Sequence, residues 1–136
     1  MINRTIQKQT ALTDNSRKSV LARGCDPAAS AWATVNLPPL IGNLEYVATT
    51  NDNDFIEQLK SRKWSVVYFA PGACRFDAAH RPIPGNISQT QGWTLEDYRE
   101  LVRKTQGEAI PIVESQEESQ SLIRLREALE NAREVG

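Results

Sequence analysis

The run SVVYFA at residues 65–70 is the stretch that decides the fold of this chain. After its first serine it joins β-branched and aromatic residues without a polar interruption, which is typical of a strand covered on both faces of a sheet. Strands of this kind occur mostly in parallel sheets flanked by helices. We therefore expect residues 65–70 to form an interior strand of an α/β domain.

The segments on either side of this strand alternate between strand and helix patterns. Before it, residues 44–48 form a short alternating strand pattern, and a cap-rich run at residues 50–54 begins a helix. After it come a capped helix over residues 94–106, a short strand over residues 109–113, and a last helix that opens with a capping box at Ser115. The order βαβ, long loop, αβα predicts a three-layer or thioredoxin-like domain with a small, mostly parallel sheet.

The N-terminal part of the chain differs from the rest in charge and in pattern. Residues 1–43 carry a net charge of +3, whereas residues 44–136 carry −4. We expect one or two helical turns within residues 16–23, and a linker with apolar anchors at residues 28–32 and 37–40, where two consecutive prolines favour polyproline geometry. The prediction is an irregular, polar and weakly basic extension, followed by a single α/β domain.

Composition excludes several functional classes. The chain has 136 residues, with 16 Lys and Arg against 17 Asp and Glu, which argues against a strongly basic nucleic-acid binder. No run of eighteen apolar residues exists, so we expect no membrane span. Two cysteines, Cys25 and Cys74, and one histidine are too few for a zinc site and favour a soluble protein in the reducing cytoplasm, with no bound metal.

Candidate chemistry follows the interior strand directly, where ligands of open α/β sheets tend to bind. Cys74 stands beside Arg75 and before a candidate helix, so charge and helix dipole favour its thiolate. His80, three residues after Asp77, is placed to act as a base on one face of that helix. The alternative is structural: Cys74 is then a small, half-buried apolar residue, and His80 packs in the loop without a role.

Residues 68–74, with the sequence YFAPGAC, resemble the first strand and active-site loop of bacterial beta-class glutathione transferases. These enzymes carry a similar Tyr-Tyr-x-Pro-Gly-Ala-Cys-Ser run on a thioredoxin fold. The resemblance implies a thioredoxin-like topology, with Cys74 as nucleophile or glutathione contact and glutathione as cofactor. It assigns the binding loop to Pro71, Gly72 and Ala73.

Two further matches belong to the same resemblance. Ile110 and Pro111 resemble the pair whose cis-proline faces the active-site loop in thioredoxin-fold proteins, so the resemblance places both in the binding site. Glu114 and Ser115 resemble the pair that contacts the γ-glutamyl end of glutathione. Arg75 stands where the beta class has a serine.

The sequence leaves two functions open, one without chemistry and one with it. The first is a non-catalytic protein-interaction or regulatory module without a cofactor, whose apolar N-terminal residues pack on its own body, on a second copy in a homo-oligomer, or on a different protein. The second is a thiol-dependent enzyme or redox sensor that uses Cys74 with support from Arg75 and His80. The apolar residues of the first hypothesis are Trp32, Leu37, Pro38, Pro39 and Leu40.

Overall fold

The structure, a computed structural model, describes residues 14–70, 85–115 and 117–135. Its strands are β1 (Ser19–Arg23), β2 (Glu45–Thr49), β3 (Val66–Phe69) and β4 (Ile112–Glu114). Its helices are α1 (Pro27–Asn36), α2 (Asp52–Ser61), α3 (Leu95–Gln106) and α4 (Glu118–Glu130), and short 3-10 turns span Pro38–Leu40 and Ser88–Thr90.

All four strands are parallel and lie in the order β2-β1-β3-β4. Strand β3 is interior: Val67 pairs with Leu21 of β1 on one side and with Ile112 of β4 on the other. Every residue of β3 is buried. The predicted α/β class, the parallel sheet and the interior position of this strand are thus confirmed.

Strand β1 corrects the expectation of helical turns within residues 16–23. Its residues are all buried, and it lies between β2 and β3 at the centre of the sheet. The apolar core of the strand is only three residues long, because Ser19 and Arg23 bound it, so its pattern is weak in the sequence. The division of the chain at residue 43 stays a prediction, although a central strand of the sheet lies on its N-terminal side.

The segment that follows β1 is helical rather than a linker. Asp26 caps α1 by accepting a hydrogen bond from the Ala28 N–H at 2.9 Å, and Pro27 occupies the first helical position. Pro38 and the two residues after it form a 3-10 turn instead of a polyproline segment. The Leu40 N–H donates to the carbonyl of Leu37 in this turn. Local capping therefore overrides the linker-like composition.

Two apolar layers separate the helices from the sheet. On one face, α1 and α4 cover Val20, Tyr46, Val66 and Tyr68. On the other face, α2 and α3 cover a second layer, whose buried members are Leu21, Phe55, Leu59, Trp64, Val67, Phe69, Tyr98, Val102 and Ile110. The arrangement is a three-layer α/β/α sandwich.

Helix caps agree with the sequence in two cases out of three. Asn51 caps α2 through its side chain, and Thr94 and Asp97 form the predicted capping box of α3. The capping box predicted at Ser115 is wrong, because α4 begins after Glu117. The Ser115 hydroxyl instead donates to the Glu117 carbonyl.

Candidate functional site

The carboxyl ends of β1 and β3 form the edge at which an open sheet of this order binds ligands. From β1 the chain continues through α1 to β2 on one side, while β3 lies on the other side of β1. Gly24 donates its N–H to Thr49 at 2.9 Å, and Ala70 donates to Arg23 at 3.1 Å, so the strand ends are tied together. The carboxyl ends of β1, β2 and β3 therefore share one edge of the sheet.

Most of the predicted site residues fall beyond Ala70, outside the described residues. They are Pro71, Gly72, Ala73, Cys74, Arg75 and His80. Their roles as nucleophile, electrostatic support and binding loop therefore stay predictions.

Ile110 and Pro111 lie at the amino end of β4. Ile110 is buried in the layer under α2 and α3, and the Pro111 carbonyl accepts from the Val67 N–H at 3.1 Å. The peptide bond before Pro111 is trans, and the place of Ile110 and Pro111 in a binding site stays a prediction. Because Val67 precedes Ala70 by three residues, Pro111 lies about 10 Å along the strands from the carboxyl edge.

Glu114 and Ser115, at the carboxyl end of β4, are engaged with the protein itself. Both carboxylate oxygens of Glu114 accept from Arg99, each at 2.6 Å, in a bidentate pair. Hydrogen bonds from Arg99 to Glu114 raise the pKa of the guanidinium above its ordinary value. The Ser115 side chain is buried and bonded to the backbone of Glu117. Their contacts therefore have a structural role in α3 and α4.

Cys25 is disulfide-bonded, whereas the low cysteine count favours a reduced thiol. It directly follows Gly24 and directly precedes Asp26, the N-cap of α1. The other cysteine of the sequence, Cys74, lies outside the described residues. Because disulfides are typical of oxidising compartments or of redox-active sites, the state of Cys25 bears on both function and location.

A buried ion pair that sequence reasoning missed lies at the same edge of the sheet. The Arg23 Nε donates to Asp52 Oδ1 at 2.8 Å, and the Tyr98 hydroxyl donates to Asp52 Oδ2 at 2.8 Å. The side chains of Arg23 and Asp52 are fully buried. Arg23 also donates to the Gly24 carbonyl. The network joins β1, α2 and α3 and thus has a structural explanation; Asp52 resembled a simple cap residue in the sequence.

Helix α1 has the opposite character, because it is apolar and largely exposed. It contains no charged residue and buries none of its side chains fully. Trp32 is 55% exposed and Val35 is 72% exposed. Leu40 in the following turn and Ile123 in α4 are also exposed, at 43% and 58%. We call these four side chains, Trp32, Val35, Leu40 and Ile123, the α1 surface.

The four side chains lie on neighbouring elements. Trp32 and Val35 are three residues apart and therefore share a side of α1. The Arg126 guanidinium donates to the Leu40 carbonyl at 2.9 and 3.2 Å, which brings α4 beside the 3-10 turn. Ile123 precedes Arg126 by three residues and lies on the same side of α4. The α1 surface therefore runs from α1 through the turn to α4.

The described residues offer little for acid–base or metal chemistry. Burial, followed by the nearby Tyr68, raises the pKa of Tyr46 well above its ordinary value, so this phenol stays protonated. Within residues 14–70, 85–115 and 117–135, no group of three His, Cys, Asp or Glu side chains is placed to hold a metal ion. No helix in this part of the chain is long and apolar enough to cross a membrane.

Comparisons with known proteins leave the site to be interpreted from its own geometry. The chain matches no protein-family model, and it has no significant match among curated proteins or solved structures.

Proposed function

We propose that this chain acts as a non-catalytic protein-interaction module whose docking surface is the α1 surface. The observation that carries the proposal is the position of the exposed large hydrophobic side chains. Within the described residues there are four of them, and three belong to α1 and the turn that follows it. The fourth, Ile123, lies beside that turn.

The composition of α1 supports a docking role over a purely structural one. Its attachment to the apolar layer below uses the half-buried Ala33, and Leu37 just after the helix makes a similar contact. Trp32 and Val35 are mostly exposed and belong to neither apolar layer. Apolar side chains scattered over a surface are ordinary, but a group of neighbouring ones is typical of interaction sites.

Trp32 is the side chain with the most to gain from a partner. Tryptophan is enriched among the residues that dominate binding energies, because its large ring excludes water and its N–H finds a polar partner. Full burial of a large apolar side chain stabilises a complex by about 1.5–3 kcal/mol. A partner that covers Trp32 together with Val35 therefore gains a substantial part of the free energy that specific association needs.

A selection experiment tests this proposal and does not require the natural partner. The full chain is immobilised and used to select from a displayed library of amphipathic helical peptides, the chemistry that an apolar helix face prefers. We expect peptides to be enriched that bind the wild type and lose binding to Trp32→Asp and Val35→Asp variants.

The control is Lys104→Asp, a substitution at an exposed position of α3 on the other side of the sheet. Peptides that recognise the α1 surface bind this variant as well as the wild type. A selection that enriches no peptide, or only peptides that bind Trp32→Asp normally, would overturn the proposal.

A redox-sensing thiol function is the second candidate, and the disulfide of Cys25 is the observation that favours it. Two thiols of the chain transfer two electrons and two protons to oxidised glutathione, which gives one protein disulfide and two molecules of reduced glutathione. In the cytoplasm, our proposed location, such a disulfide forms only when oxidant accumulates. Cys74, with Arg75 and His80 as support, is the proposed reactive thiol.

Alkylation rates decide this second candidate. The reduced Cys25→Ser variant leaves Cys74 as its single cysteine, and its reaction with iodoacetamide is followed against pH. An activated thiol shows an inflection well below about 8.5, the value of a free cysteine. An inflection at the free value removes the case for a reactive Cys74.

A further inference from the structure

We infer that the partner of the α1 surface is a second copy of this chain, with the two α1 helices packed antiparallel about a two-fold axis. This inference rests on the proposed function, since it names the occupant of the same docking surface. It is carried by the distribution of charge along and around α1.

Helix α1 can meet itself without electrostatic cost. It contains no charged side chain, so two copies that face each other bring no like charges together. Ala28, Ala29 and Ala31 are exposed and small, which allows close approach of the two backbones. The antiparallel arrangement also sets the positive end of each helix dipole against the negative end of the other.

Opposite charges lie at the two ends of this uncharged helix. Asp26 caps its N-terminal end, and Arg126 lies beside the turn that follows its C-terminal end, where it contacts the Leu40 carbonyl. Neither side chain forms an ion pair within the part of the chain that the structure describes. The guanidinium of Arg126 uses only Nε and Nη2 in its contacts with described residues.

The length of α1 suits a pairing of these charges between two copies. Ten helical residues span about 15 Å, and an antiparallel alignment places the N-terminal end of one helix against the C-terminal end of the other. Asp26 of each copy then faces Arg126 of the other. Because a two-fold interface repeats every contact, the dimer gains two such ion pairs around a centre formed by Trp32 and Val35.

The size of the α1 surface sets the expected strength. One ten-residue helix with its adjoining turn buries an area near the lower limit of specific interfaces, about 1,200 Å² in total. We therefore expect a reversible dimer with a dissociation constant on the order of 10 μM, which a small apolar centre and exposed ion pairs support.

Sedimentation velocity of the full chain tests the inference over concentrations from about 1 μM to about 1 mM, a range that brackets this dissociation constant. The wild type is expected to pass from monomer to dimer. Trp32→Asp is expected to raise the dissociation constant at least ~30-fold, because it places a charge at the centre. Arg126→Glu is expected to raise it ~10-fold, since it faces Asp26 of the second copy.

Mixing variants tests the antiparallel arrangement itself. Arg126→Glu and Asp26→Lys each repel themselves, but a mixture restores both ion pairs and is expected to form a heterodimer with about the wild-type affinity. If loss of the cap unfolds Asp26→Lys, Asp26→Asn replaces it, because asparagine caps equally well. This variant is expected to weaken the homodimer and to restore part of the affinity of Arg126→Glu. A mixture that associates no better than Arg126→Glu alone overturns the arrangement.

Two controls separate this inference from other outcomes. Lys104→Glu changes the net charge as Arg126→Glu does, but on α3, and is expected to leave dimerisation unchanged. Samples are compared with and without reductant, so that a disulfide-linked dimer is recognised. A wild type that stays monomeric at the highest concentration overturns the second copy as partner, whereas the peptide selection decides separately whether the α1 surface docks anything.

Discussion

The two helical layers of this sandwich differ strongly in how far their side chains are buried. Under α2 and α3 the rings of Phe55 and Tyr98 both contact Phe69, with centroids 5.7 and 6.3 Å from it, and Trp64 is fully buried beside them. In the other layer α4 contributes fully buried leucines, but α1 contributes no fully buried side chain. The layer of α2 and α3 therefore buries its large apolar side chains, whereas the layer of α1 and α4 leaves apolar surface exposed.

The solvent-facing sides of α3 and α1 differ in the same sense. On α3, Glu96 forms ion pairs with Arg99 and Arg103 at 3.0 and 2.6 Å. On α1, the exposed residues are all uncharged, and Trp32 and Val35 are the large apolar ones among them. A charged network is adapted to water, whereas an uncharged apolar helix is adapted to a partner. The contrast is the physical basis for placing the docking surface at α1.

Removal of the buried Arg23–Asp52 ion pair is the substitution expected to destabilise the layer under α2 and α3 most strongly. Asp52→Ala removes the buried carboxylate that accepts from the Arg23 Nε and from the Tyr98 hydroxyl. We expect a loss of about 3–5 kcal/mol in the free energy of unfolding, measured by urea denaturation. The control is Asp54→Ala on the exposed side of α2, which is expected to cost less than about 1 kcal/mol. Similar losses for both variants would contradict the structural role of the ion pair.

A matched pair of valine substitutions sharpens the comparison between α3 and α1. Val102 is fully buried in α3, and Val35 is largely exposed in α1. Val102→Ala is expected to cost about 1.5–2.5 kcal/mol in unfolding free energy, because it removes buried methyl groups and leaves a cavity. Val35→Ala is expected to change this free energy by less than about 0.5 kcal/mol, since alanine has the higher helix propensity and no core contact is lost.

Both valine variants are measured by urea denaturation at low protein concentration, where the proposed dimer is dissociated. Equal losses would show that α1 buries Val35 after all, and the α1 surface would then lose one of its members.

Elements with a strong local pattern could be predicted from the sequence. The uninterrupted apolar run of β3 predicts a doubly covered strand, and Thr94 with Asp97 predicts the start of α3. The ring of Trp93, directly before this cap, packs on Tyr98 with 5.1 Å between centroids, as in a hydrophobic staple. In these cases the local signal and the tertiary structure agree.

Elements that depend on distant partners could not be predicted. Strand β1 ends in Arg23, a buried cation whose ion pair with Asp52 joins residues far apart in the sequence. Pro27 and Pro38 resemble linker residues in the sequence. In the structure, Pro27 is the first residue of α1 after the Asp26 cap, and Pro38 begins the 3-10 turn. Of the candidate site, the carboxyl edge of β3 was predictable from strand order rules, whereas the disulfide of Cys25 depends on three-dimensional proximity that spacing does not encode.

Acid should weaken the ion pairs on the exposed side of α3, and Glu96 is the group that tests this. Hydrogen bonds from Arg99, then from Arg103, lower the pKa of Glu96 below its ordinary value of 4.5. Its stabilising contribution is therefore fully present above pH 4.5 and is lost as the pH falls through the lowered pKa. We expect Glu96→Gln to be slightly less stable than the wild type at neutral pH, with a difference that disappears in acid.

The urea midpoints of Glu96→Gln and of the wild type are measured against pH, with Glu100→Gln as the control on the same helix. A difference that persists at low pH would mean that Glu96 acts through packing and not through its charge, and the electrostatic contrast between α3 and α1 would have to rest on the other ion pairs of α3.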